Sequence, residues 1–275
     1  MIPARFDYEV AGSVEQAIEL LGSGGEAKLL AGGHSLLPLM RLRLARPGLL
    51  VDIGRLDELR YVREDGDRIA IGALTRHHDV ANDPLLLAEN GLLAKAAAGI
   101  GDPQVRHMGT IGGSVAHGDP ASDLPAVLVA LEADLVVRGP GGERTIPAGE
   151  LFRGFLETAL EPGEVLTEIR VPKLGAGGWS YLKLTRRAQD WATVGVAAVQ
   201  ANGSARVALT NMGATPVRAL GVEEALGSGA DAAAAAERAA EGTNPPSDHS
   251  ASAEFREHLA RVLTRRALEE ASARP

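Results

Sequence analysis

Two glycine pairs, each flanked by hydroxyl and polar residues, are where this sequence could do chemistry. The first is Ala31-Gly32-Gly33-His34-Ser35, followed by Leu36, and the second is Gly109-Thr110-Ile111-Gly112-Gly113-Ser114. Paired glycines lack Cβ atoms and reach positive φ, so backbone N–H groups can converge on an anion while Ser and Thr hydroxyls add donors. Two such loops can embrace one pyrophosphate from opposite sides, although each alone is also what a tight turn needs. Shortly after the second comes Asp119-Pro120-Ala121-Ser122-Asp123-Leu124-Pro125. Asp123 is an acceptor suited to sugar-chain hydroxyls, and it is equally placed to cap a helix that begins at Leu124.

Other chemistries find no support in the residues. A phosphate-loop NTPase needs Gly-Lys followed by Ser or Thr, and the chain has no Gly-Lys dipeptide. Gly22-Ser23-Gly24-Gly25-Glu26-Ala27 has the spacing of a dinucleotide fingerprint, but it follows a helical pattern and precedes a strand pattern, the reverse of what that mechanism requires. Gly112-Gly113-Ser114-Val115-Ala116 ends in Ala where a nucleophile elbow has Gly. Five of the seven histidines (His34, His77, His78, His107, His117) fall between residues 34 and 117, none in an HExxH spacing, so no metal site is expected.

The chain of 275 residues has no cysteine, which excludes disulfides, thiolate zinc sites and cysteine-ligated iron–sulfur clusters on this polypeptide. Its 28 Lys and Arg against 36 Asp and Glu, a formal charge of −8, argue against nucleic-acid binding. The start, MIPARFDYEV, has no apolar signal region, and no run approaches the ~18 apolar residues of a membrane span. A cytoplasmic protein is expected.

The elements that must position these loops can be read from apolar patterning. Ser13 and Gln16 predict a capped helix that stops at glycines 22, 24 and 25; strands are predicted at 28–31 and 49–53, making a βα-type unit of about the first 55 residues. Further strands are predicted at 68–74, 134–138, 164–171, 179–185, 194–199 and 206–211. Helices are predicted at 77–88 with a break near Pro84, at 92–100, at 230–241 and at 253–270. The polar stretch 102–123 shows no period and reads as a functional segment without regular structure. Glycines 175, 177 and 178 mark the best domain boundary.

AGGHS at 31–35, TIGGS at 110–114 with DPASDLP at 119–125, and RRAQDWATVGVA at 186–197 together resemble the FAD-binding medium subunits of the molybdenum hydroxylases. That group includes aerobic carbon monoxide dehydrogenase and the flavin domain of xanthine dehydrogenase. SDHSASAEFREHLARVLTRRAL at 247–268 looks like the family's closing segment, so the likeness covers essentially the whole chain. It implies an α+β fold: a two-subdomain FAD-binding domain of the vanillyl-alcohol-oxidase-like (PCMH-type) kind, residues 1–55 and 56–173, followed by a C-terminal α+β domain, 174–275, with a small antiparallel sheet.

In such proteins the pyrophosphate and ribityl chain lie between the two subdomains. Carried onto this sequence, the resemblance implies noncovalent FAD held by Ala31, Gly32, Gly33, His34, Ser35 and Leu36, by Thr110, Ile111, Gly112, Gly113 and Ser114, and by Asp123 at the ribityl part. Trp191 stands at the position that usually holds an aromatic next to the isoalloxazine. Lys183, on the same strand face as Tyr181, is either a positive charge near the N1/C2=O end of reduced flavin or a solvated strand lysine; Trp179 and Tyr181 can equally be packing residues. Arg106 either meets the pyrophosphate or orders its loop through carbonyl bonds. His107-Met108 departs from the family, which commonly has Asn at the first of these positions.

The activity implied is electron transfer: FAD receives electrons from [2Fe-2S] clusters of a small partner subunit, with substrate oxidised at a molybdenum cofactor on a large partner subunit and NAD, a quinone or oxygen as final acceptor. No catalytic acid or base is then needed on this chain. The alternative is a self-contained FAD-dependent oxidoreductase of the same fold acting on a small molecule.

Overall fold

A computed structural model of the chain describes residues 1–23, 25–201 and 204–274. The glycine-rich turn expected after the first helix therefore lies partly outside the described residues, at Gly24. The first segment runs β1 (Asp7–Val10), α1 (Val14–Gly22), β2 (Ala27–Leu30), α2 (Leu36–Arg41) and β3 (Leu49–Asp52). Its three strands form a parallel sheet in the order β1-β3-β2. Ser13 caps α1 by accepting from the Gln16 N–H at 3.1 Å, and Gln16 answers by accepting from the Gly12 N–H at 2.6 Å. The β1 strand, Asp-Tyr-Glu-Val, is polar and lies at a sheet edge, so patterning did not reveal it.

The middle segment opens with β4 (Val62–Asp65) and β5 (Arg68–Gly72) and continues through a helical stretch: α3 (His77–Asn82), α4 (Pro84–Glu89), α5 (Gly91–Ala98), α6 (Pro103–Met108), α7 (Ile111–His117) and α8 (Asp123–Ala130). It closes with β6 (Asp134–Gly139), β7 (Gly142–Pro147), α9 (Ala148–Leu151), β8 (Phe152–Gly154), β9 (Glu157–Thr158) and β10 (Val165–Pro172). An antiparallel sheet in the order β4-β5-β10-β6-β7 backs these helices. The break expected near Pro84 is real: Pro84 opens α4, and Asp83 caps it by accepting from the N–H groups of Leu85 and Leu86.

The stretch 102–123 corrects the expectation of irregular structure. It folds as α6 and α7, six and seven residues long, too short to show a period; they are specified by caps. Asp102 accepts from the Val105 N–H at 2.8 Å with Pro103 at the first turn, and Thr110 Oγ1 accepts from the Gly113 N–H at 3.1 Å. The next helix, α8, is buried at all eight positions, which its unbroken apolar run demanded.

The last segment contains β11 (Gly178–Leu184), β12 (Val194–Ala201), β13 (Ser204–Thr210) and β14 (Val217–Arg218), an antiparallel sheet in that order, then α10 (Leu220–Gly227), α11 (Ala232–Ala236) and α12 (Ala253–Ser272). The alanine-rich helix expected over 230–241 is broken: α11 gives way to a 3₁₀ turn at Glu237–Ala240. One core lies between the middle sheet, α5, α8 and the inner face of β11–β13; a second lies between the outer face of that sheet and α12.

Candidate functional site

The first glycine loop leaves the C-terminal end of β2 and enters α2. Gly33 has φ +74°, which an L side chain rarely adopts, so glycine is required there. Among the described residues, no acceptor is found for the N–H groups of Gly32, Gly33, His34, Ser35 and Leu36. Consecutive unanswered backbone N–H donors, His34 exposed and the rest half-exposed, are the kind of group an anion needs, and they act without any side-chain charge.

The second loop is built differently, and here the expectation of converging N–H groups is corrected. Ile111 N–H donates to Thr75 O at 3.0 Å, Gly112 N–H to Ala73 O at 2.9 Å and Gly113 N–H to Thr110 Oγ1, so the loop is laced onto the segment that follows β5. Thr110, Ile111 and Gly112 are buried, while Gly113 is exposed and Ser114 half-exposed. A Cβ on Gly112 would sit 2.6 Å from Ala73 Cβ and 2.7 Å from Ala73 O, so Gly112 is glycine for chain packing.

The two loops touch. A Cβ on Gly32 would collide with Met108 O and lie 2.8 Å from Gly109 Cα; Gly113 in turn faces Ala31. Met108 O also accepts from Arg76, and the exposed His107 ring stacks on His78 with centroids 4.1 Å apart. Arg106 donates to Ile100 O at 2.8 Å and to Gly101 O at 3.0 Å, which is the loop-ordering role rather than a free charge.

Behind the second loop lies His77, 4% exposed, its edge against Gly109 and its Nδ1 without a partner among the described residues. Burial, reinforced by the charges of His34, Arg106 and Arg76, pushes its imidazole down to about 4. The folded chain holds His77 neutral, whereas the unfolded chain protonates it near the ordinary 6.5. Stability present above 6.5 is therefore lost as pH falls toward 4, by up to about 3 kcal/mol. Melting curves between pH 7 and 4.5 should show His77→Leu losing less stability than the native chain over that range; equal slopes would remove His77 from the account.

Asp123 is 7% exposed and does not cap α8; Ser122 stands at the cap position. Its carboxylate accepts from the Tyr181 hydroxyl at one oxygen and from Lys183 Nζ, 2.9 Å away, at the other. Lys183 also donates to Gly99 O at 2.9 Å, so it is no solvated strand lysine. Burial raises the Asp123 carboxyl above its ordinary value, with Lys183 and the Tyr181 hydrogen bond opposing. Each carboxylate oxygen has two acceptor sites and spends one, so Asp123 can still accept from a sugar hydroxyl.

Tyr181 is the site residue that sequence reasoning left among packing candidates. Its spacing of two from Lys183 put both on one strand face, and that was the available signal. Gly195 on β12 leaves room for the phenol: a Cβ there would lie 2.9 Å from the Tyr181 hydroxyl. Trp179 is a packing residue, seated against Gly91 with the Arg274 guanidinium 3.7 Å above its ring. Trp191 is 55% exposed in the loop between β11 and β12, beside Asp190, whose carboxylate accepts from the Trp191 N–H at 3.0 Å. That loop is joined to the Asp123 segment through Asn211, which donates from its N–H to Pro120 O at 2.8 Å and from its side chain to Ala192 O at 2.8 Å.

Comparisons with known proteins agree with this architecture. Residues 4–174 match the family described as FAD binding domain in molybdopterin dehydrogenase, and residues 179–271 match the CO dehydrogenase flavoprotein C-terminal domain. The carbon monoxide dehydrogenase medium chain of Hydrogenophaga pseudoflava is 46% identical, covering 100% of this chain and 99% of that one. A subunit alpha of the 6-hydroxypseudooxynicotine dehydrogenase complex of Paenarthrobacter nicotinovorans is 41% identical over 98% of this chain and 96% of its own length. Among solved structures, a chain of the H. pseudoflava carbon monoxide dehydrogenase lacking the Mo-pyranopterin moiety superposes with a TM-score of 0.96 at 47% identity, covering 100% and 99% of the two chains. Quinoline 2-oxidoreductase from Pseudomonas putida 86 gives 0.93 at 33% identity, covering 99% and 98%. Matched from end to end by both family descriptions and by relatives above 40% identity, the chain belongs to the FAD-binding medium subunits of the molybdenum hydroxylases, the family of the carbon monoxide dehydrogenase medium chains.

Proposed function

We propose that this chain is the FAD-binding electron-transfer subunit of a molybdenum-containing hydroxylase or dehydrogenase, taking electrons from the [2Fe-2S] clusters of a small partner subunit and delivering them to NAD, a quinone or oxygen. The observation that carries this reading is the row of unanswered N–H donors from Gly32 to Leu36 packed against the second glycine loop, on a chain that matches the family over its full length. FAD, when bound, supplies the capacity to exchange electrons one or two at a time. The chain's own residues bind and orient it. Ala31 to Leu36 receive the pyrophosphate, assisted by Ser114 and the surface of Gly113; Asp123, fixed by Tyr181 and Lys183, receives the ribityl hydroxyls; Trp191 meets the isoalloxazine. Thr110, Ile111 and Gly112 position the second loop from beneath.

His34 is exposed and free to donate to phosphate, and the FAD is held noncovalently. Each of the four sheets among the described residues lies within one of the segments 1–55, 56–173 and 174–275, which supports two FAD-binding subdomains and a C-terminal domain. No helix among the described residues is long and apolar enough to cross a membrane, and we place the assembly in the cytoplasm. A self-contained oxidoreductase would need an acid or base beside the ring; the carboxylate next to Trp191, Asp190, is already paired with Arg187 at 3.0 Å and bonded to backbone. Affinity purification of the tagged chain from its native cells should bring with it a cysteine-rich iron–sulfur chain and a large molybdenum chain, with substrate turnover confined to the assembly. Turnover at an enzyme-like rate by the FAD-loaded chain alone would favour the self-contained oxidoreductase instead.

A further inference from the structure

A buried arginine on the C-terminal helix holds the loop that carries Trp191. The Arg256 side chain is 1% exposed, yet leucine or methionine would fill a helix interior without the cost of desolvating a guanidinium. What it does with its donors explains its presence. One guanidinium nitrogen donates to Thr193 O, and the other donates to Asp248 Oδ2 at 2.8 Å. Asp248 is itself fixed, because its other oxygen accepts from the N–H groups of Ser250 at 2.7 Å and Ala251 at 3.1 Å.

The contacts converge on the C-terminal root of the loop 185–191. Thr193 N–H donates to Leu184 O at 2.8 Å and closes the loop's base, while the Asn211 side chain holds the Ala192 carbonyl. At the other end Arg186 donates to His249 O at 2.7 Å, so the turn 248–251 backs the loop from both sides. Trp191 lies two residues before the carbonyl that Arg256 grips and is more than half exposed. The backbone at Ala192 and Thr193, with the Trp191 N–H bond to Asp190 Oδ1 at 3.0 Å, anchors the point from which the Trp191 side chain leaves the chain.

We infer that Arg256, oriented by Asp248, is the positioning residue that sets where Trp191 stands toward the flavin ring. The inference rests on the reading that Trp191 meets the isoalloxazine.

The test uses the full FAD-loaded chain and reads flavin fluorescence, which a stacked indole quenches, together with FAD affinity. Trp191→Phe should brighten the flavin. Arg256→Met should brighten it in the native background, weaken FAD binding by about three- to tenfold through the lost ring contact, and add no brightening in the Trp191→Phe background. Arg256→Lys, which can still donate to the Thr193 carbonyl, should restore part of the quenching. Brightening by Arg256→Met that is equal in both backgrounds, or absent while Trp191→Phe brightens, would overturn the positioning role and leave the Trp191 reading standing. An unchanged flavin signal in Trp191→Phe would overturn that reading and the inference with it. Should Arg256→Met fail to fold, Asp248→Asn makes the same comparison, since its amide oxygen still accepts from Ser250 and Ala251 while the charge facing Arg256 is gone.

Discussion

Gly32→Val should fold with its sheets intact and fail to retain FAD. The new Cβ would collide with Met108 O and stand 2.8 Å from Gly109 Cα, and both are backbone atoms that no rotamer change can move aside. Relief requires the two loops to separate, at a cost of about 3 kcal/mol, or roughly a hundredfold in affinity for a ligand gripped between them. Gly33→Ala should be milder. Its Cβ meets side-chain atoms alone, Leu37 Cδ1 at 2.8 Å, Leu37 Cγ at 3.1 Å and Leu30 Cδ1 at 3.3 Å, and the strain of φ +74° amounts to about 1–2 kcal/mol. Flavin absorbance after desalting, with circular dichroism as the folding control, ranks the variants; equal retention by Gly32→Val and the native chain would remove the loop contact from the account.

Asp123→Ala should cost more stability than the loss of one hydrogen bond, about 3–5 kcal/mol, because it leaves the Lys183 ammonium and the Tyr181 hydroxyl buried without their anion. Asp123→Asn keeps an acceptor for one of them and should lose less. The raised carboxyl fixes the sign with pH. Relative to the unfolded chain, burial shifts Asp123 toward protonation, so this titration contributes most below the ordinary carboxylate value and its contribution declines as pH rises through the folded value. Urea unfolding at neutral pH measures the difference between the variants. A loss below about 1 kcal/mol for Asp123→Ala would place the carboxylate outside the buried network.

Strands β3, β10, β12 and β13 were readable because they are apolar runs with a buried stretch, and β2 because Leu29 and Leu30 make a short apolar run. The helices α6 and α7 were not readable, since six or seven residues defined by Asp102 and Thr110 caps leave no period to detect. The polar β7, exposed at every position except Ile146, gave no strand signal for the same reason that edge strands often do not.

Within the site, residue types were legible and their division of labour was not. Both glycine loops stood out, yet only contact geometry separates the first, which presents free donors, from the second, whose donors are spent on Ala73, Thr75 and Thr110. Asp123 and Lys183 were each singled out, but their mutual bond across 60 residues could not be inferred from one sequence. Arg256 carries no local signal at all, because a helix arginine is ordinarily a surface residue. The absence of cysteine, by contrast, was informative from the start: the clusters that must feed this flavin belong to a neighbour.

On this reading the chain alone holds FAD, noncovalently, between its two loops. Incubating the purified chain with FAD, desalting it and recording the visible spectrum tests this directly. The expected result is a yellow protein with an FAD for each chain, all of it released on denaturation. A colourless protein would contradict the claim, and flavin that stays on the denatured chain would contradict the noncovalent attachment.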